Sequence, residues 1–69
     1  MNALQLKDAL VDILRAYGMF NDKYANIIKD TILGWYYTTY ITAEECVDLL
    51  VEYLTAGQLS LSGKFDKKF

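Results

Sequence analysis

Apolar positions recur at intervals of three and four along most of this chain, then give way to alternation near its end. Leu6, Leu10, Ile13, Leu14 and Tyr17 share one face, with Gln5, Asp8, Asp12 and Arg15 opposite, which predicts a helix over residues 3–17. Gly18 follows as a stop signal. A second helix is predicted over 22–37, capped by Asn21, with Phe20 as apolar lead-in and Asp22 favourable in the first turn. Its stripe is Tyr24, Ile27, Ile28, Thr31 and Trp35, while Asn26 and Asp30 face away. Gly34 weakens this helix by about 1 kcal/mol relative to alanine. The run from Trp35 to Ile41 is aromatic and β-branched, which favours extended chain. Two readings follow: a helix ending near Tyr37 with a tight connection through Thr39–Ile41, or a short strand from Tyr36 to Tyr40.

The third helix, over 42–56, is the most fully specified. Thr42 and Glu45 form a capping box, Ile41 and Cys46 are spaced for a hydrophobic staple, and Gly57 can close the helix in the left-handed conformation. Val47, Leu50, Val51 and Leu54 make its core face, widened by Cys46, Leu49 and Tyr53. Glu44, Glu45, Asp48 and Glu52 line the other side with no basic residue among them. A helix apolar over more than half its circumference touches neighbours on two sides, so this one should be central.

After Gly57 the stretch Gln58–Ser62 alternates with period two, Ser62-Gly63 is a turn signal, and residues up to Phe69 alternate less cleanly. Residues 57–69 read as a small hairpin packed through Leu59, Leu61 and Phe65, or as an arm that orders on a partner. The fold class is all-α: a single domain over 1–69, a three-helix bundle with a short extended or β-hairpin-like C-terminal segment. That element order is also the order of a winged helix.

Composition bears on what such a bundle can do. Sixty-nine residues build one small core, worth about 3–5 kcal/mol, which usually needs a staple, a metal or a partner. One cysteine makes no intrachain disulfide, and the absence of histidine removes the commonest zinc ligand and general base. The hydrophobic share of 54% exceeds the usual 45–50% or so, pointing to association with itself or another protein. The net charge of −2 is too mild to argue for nucleic acid or an anionic membrane. No apolar run approaches a spanning helix, and the amphipathic start with Lys7 and Asp8 does not read as a signal peptide. An unpaired cysteine fits a reducing compartment, so the expectation is a cytoplasmic protein.

Chemistry finds little purchase. There is no Gly-rich phosphate loop, and Cys46 has no base to activate it; a small buried hydrophobe is its ordinary role. Glu44, Glu45, Asp48 and Glu52 on one exposed helix face diverge into water, where a cation site needs convergence. No enzyme activity, cofactor, metal or small-molecule substrate is expected. The alternative is a winged-helix-like DNA-binding regulator, with Lys64, Lys67 and Lys68 of the basic tail contacting phosphates. Against it, the recognition helix would present four carboxylates to the phosphate backbone.

The aromatic run is the better candidate. Trp35, Tyr36, Tyr37 and Tyr40 cannot all point inward, and tyrosine and tryptophan concentrate binding energy at interfaces. The bland reading has Trp35 and Tyr36 in the core and Tyr37 and Tyr40 as scattered surface residues. The sharper one places Tyr37 and Tyr40, with Phe65 and Phe69 of the tail, on a protein–protein surface. The acidic residues Glu44, Asp48 and Glu52 would engage a basic partner, since complementary charge speeds encounter and fixes register.

Two segments share a layout: Tyr17–Asn21 leading into the second helix, and Tyr37–Glu45 leading into the third. The phrase ITAEEC, with YGMF upstream, resembles the short XkdX-type proteins of phages infecting Gram-positive bacteria, over about thirty residues. Those proteins show a tyrosine–glycine–aromatic start and a Gly-x-Ile-Thr-x-Glu-Glu-Tyr close. Here Thr39 stands in place of the glycine and Cys46 in place of the last tyrosine. The resemblance implies a phage-encoded accessory protein, structural or anti-defence, in the host cytoplasm or the virion, and carries over no functional residue. The reading that results is a non-catalytic protein–protein interaction module, a homo-oligomer or a small subunit or inhibitor of a larger protein.

Overall fold

The computed structural model describes residues 1–57, and the predicted C-terminal hairpin or arm lies outside them. Three helices make up the described fold: α1 (Ala3–Ala16), α2 (Lys23–Tyr37) and α3 (Ala43–Ala56). None of these helices is long and apolar enough to cross a membrane. No strand occurs among the described residues, so Tyr36–Tyr40 does not form one. α3 packs against both other helices more extensively than they pack against each other, which makes it the centre of the bundle.

Each helix begins at a polar cap that satisfies amides lacking a partner one turn back. Asn2 accepts from the Gln5 amide at 2.8 Å while Gln5 accepts from Asn2 N–H at 3.0 Å, a capping box at the head of α1. Thr42 and Glu45 do the same for α3, at 3.2 and 2.9 Å. At α2 the cap is Asp22, not Asn21: its carboxylate accepts from Ala25 N–H at 2.9 Å. The later start puts a full negative charge on the N-terminal amides, which Asn21 would not supply. Asn26 then holds the turn by donating to the carbonyls of Phe20 and Asp22.

α1 and α2 end alike. After α1, Gly18 N–H donates to Arg15 O and Met19 N–H to Leu14 O. After α2, Thr39 N–H donates to Tyr36 O and Tyr40 N–H to Trp35 O. This pair of bonds is the Schellman closure, which needs one left-handed residue. Gly18 meets the requirement at φ 70°, and Thr39 meets it at φ 62° despite its branched side chain. Gly57 closes α3 at φ 74°.

The core is centred on Leu6, Leu10 and Leu14 of α1, Ile32 of α2, and Cys46 and Leu50 of α3, all fully buried. Ile41, before the α3 cap, is buried with Cys46 in the same cluster, as the staple spacing anticipates. Two faces differ from the periodicity reading. On α2 the buried residues are Ala25, Ile32 and Leu33, whereas Tyr24 and Ile27 are 72% and 49% exposed. The helix carries two overlapping stripes, and the one containing small Ala25 faces its neighbours. A buried Tyr24 would also have needed a hydrogen-bond partner for its hydroxyl. On α3 the buried set is Ala43, Cys46, Leu49 and Leu50, with Val47 and Leu54 only packed against its margin. Contact with both neighbouring helices draws the buried arc toward Leu49, away from the predicted Val47–Val51–Leu54 edge. Tyr17, predicted on the α1 core face, is the exposed C-cap instead.

Candidate protein-interaction surface

The connection between α2 and α3 builds a concavity on the surface. A cleft of about 710 Å³ is lined by Tyr36, Tyr37, Thr39, Tyr40, Ile41, Thr42 and Glu45, with Ala3 of α1 opposite. The Schellman turn makes it. With Thr39 left-handed, the chain reverses within two residues and Tyr40 folds back over the last turn of α2, where it packs against the core. Tyr36 and Tyr37 stand side by side, ring centroids 5.8 Å apart and planes inclined by 59°. Tyr36 leans on the core, while Tyr37 is 59% exposed. The cleft therefore has an aromatic wall with phenol hydroxyls, a β-branched floor at Ile41, and a polar rim at Thr42 and Glu45. Thr42 and Glu45 already bond each other through the capping box, so the rim is rigid.

The predicted site residues divide into three groups. Tyr37 and Tyr40 line the same cleft. Tyr40 is half-buried, so its role is partly to hold the turn. Glu44 and Asp48 are exposed and Glu52 is half-exposed along the outer side of α3; they do not line the cleft. They begin beside its rim, since Glu44 precedes Glu45 in the first turn. Among the described residues no cation pairs with Glu44, Asp48 or Glu52. Phe65 and Phe69, like Lys64, Lys67 and Lys68, lie outside the described residues.

Sequence reasoning passed over Glu45 as a lining residue and Thr39 as the residue that shapes the cleft. The equivalence of Gly18 and Thr39 in the repeated layout was the available signal for Thr39. It also missed the outward face of α2, where Tyr24 and Ile27 stand exposed.

Cys46 is fully buried, with its Sγ directed at Ile32 O at 3.7 Å. Burial, and then the neighbouring Glu45 charge, push its thiol up to about 11, so it is protonated and unreactive near neutrality. No three His, Cys, Asp or Glu side chains among the described residues are grouped to hold a metal ion. No family model, curated protein or solved structure matches this chain.

Proposed function

We propose that this chain is a non-catalytic protein-interaction module that docks through the Tyr37–Tyr40 cleft and the acidic side of α3. The observation that carries the reading is Tyr37. A large aromatic side chain stands mostly exposed on the wall of a cleft whose other walls are fixed by a Schellman turn and a capping box. A rigid aromatic anchor loses little conformational entropy on binding, which is why tyrosine dominates interface energetics. Glu44, Asp48 and Glu52 along the outer side of α3, without a cation partner among the described residues, favour a partner with a basic surface. The same carboxylates weigh against a DNA-binding role for α3. A phage-encoded subunit or inhibitor is the version of this reading that the ITAEEC resemblance supports.

The test is differential capture. The chain, its Tyr37→Ala variant and a Glu44→Lys/Asp48→Lys variant are used as parallel baits in extract of the source cell, with quantitative mass spectrometry of what is retained. A protein held by the native chain and lost from both variants supports the reading. Identical recovery by all three baits overturns it.

A further inference from the structure

Among the described residues, the outward face of α2 is an unpartnered surface with a symmetry of its own. Lys23, Ile27, Asp30 and Gly34 follow one another at intervals of four, three and four, along the side opposite buried Ala25 and Ile32. Ile27 is a β-branched apolar side chain left half in water in the second turn of the helix. The hydroxyls nearby are already turned to their own helix: Thr31 donates to Ile27 O at 2.9 Å and Thr38 to Gly34 O at 3.2 Å. At Gly34 a side chain would meet nothing within 4 Å, so the face is open there to a close approach.

We infer that this face pairs with its own copy, two α2 helices crossing antiparallel at Ile27. The charges argue for a second copy over any other occupant. Lys23 lies four residues before Ile27 and Asp30 three residues after it, so a two-fold axis at Ile27 brings each Lys23 toward Asp30 of the other chain. One arrangement thus makes two opposite-charge pairs around one apolar contact, and a parallel arrangement would set like charges side by side. The Asp30 side chain is 71% exposed and pairs with Lys29 of its own helix at 3.2 Å, and Lys23 has no ion-pair partner among the described residues. An interface of this kind would give Lys23 its first carboxylate partner and Asp30 a second cation beside Lys29. The pairing deepens the interaction-module reading and rests on it, but it uses a different surface from the tyrosine cleft.

Sedimentation equilibrium of the full chain, from micromolar to millimolar concentration, tests the pairing, with circular dichroism confirming that each variant folds. The native chain is expected to dimerise. Ile27→Asp weakens the dimer roughly a hundredfold, since a charge replaces the central apolar contact. Lys23→Glu and Asp30→Lys each weaken it about tenfold, and the double exchange Lys23→Glu/Asp30→Lys restores it to within about threefold. A chain that stays monomeric throughout overturns the self-pairing and leaves the cleft reading to the capture experiment. A dimer that the double exchange fails to rescue overturns the antiparallel arrangement. A dimer lost in Tyr37→Ala but kept in Ile27→Asp overturns the α2 face while supporting the cleft.

Discussion

Gly18 and Thr39 occupy the same position in two copies of one helix-ending motif, at φ 70° and 62°, and only one of them is a residue suited to it. The left-handed region costs a residue with a Cβ about 1–2 kcal/mol, and a β-branched side chain worsens the crowding. Thr39 bears that strain with partial relief from its hydroxyl, which donates to Thr38 O at 2.6 Å on the exposed side of the turn. The strain sits on the residue that shapes the tyrosine cleft.

Thr39→Gly should therefore stabilise the chain by about 1 kcal/mol, raising the melting temperature by roughly 4–8 °C for a domain of this size. Gly18→Ala should cost about the same amount, for the same reason in reverse. Thermal and urea unfolding of the two variants beside the native chain decide the matter. A destabilised Thr39→Gly would mean that Thr39 is not left-handed in solution.

Caps give a second contrast. Asp22→Ala removes the acceptor for the Ala25 amide and should cost about 1 kcal/mol, whereas Asn21→Ala, exposed and outside the helix, should stay within about 0.5 kcal/mol. Chemical denaturation resolves the difference. The reverse order would restore Asn21 as the cap.

These contrasts show which parts of the structure are legible in the sequence. Leu6, Leu10 and Leu14 could be placed inside because polar residues occupy the rest of α1, so only one face is available. On α2 and α3 apolar residues cover too much of the circumference for period alone to choose. Ala25 against Tyr24, and Leu49 against Val51, are decided by how closely neighbours approach, which is a tertiary matter. The α3 capping box was fully legible because its two residues act locally. Of the site, Tyr37 was legible from the impossibility of turning consecutive aromatics inward. The half-burial of Tyr40 was not, because it depends on Thr39 adopting a backbone state that its residue type disfavours.

Cys46 makes a prediction with a definite sign. Its folded thiol titrates at about 11, above the ordinary 9.0, because burial and the Glu45 charge disfavour the thiolate. Below pH 9 both folded and unfolded thiols hold their proton, and the group adds no pH dependence. Between 9 and 11 the unfolded chain releases its proton first, so stability falls as pH rises through that window. Urea unfolding at pH 8, 9, 10 and 11 should show a steeper decline for the native chain than for Cys46→Ala. Parallel slopes would mean that the thiol is not buried as described. Thiol reagents at pH 8 should accordingly react with the native chain only as fast as it opens.

Tyr37 and Tyr40 should part company when each is replaced by alanine. Tyr37 is mostly exposed on the cleft wall, so Tyr37→Ala should leave helical circular dichroism intact and stability within about 0.5 kcal/mol. Tyr40 is half-buried, packs against the core, and stands at the place in the Schellman motif that contacts the residue bonded to it, Trp35. Burial of a whole aromatic ring is worth about 3–5 kcal/mol on truncation, so Tyr40→Ala should cost roughly half of that. Equilibrium denaturation measures both, and capture or sedimentation measures association on the same samples. Association lost in Tyr37→Ala at unchanged stability would locate binding on the exposed ring. Association lost only in the destabilised Tyr40→Ala would mean that the cleft matters for folding and not for docking.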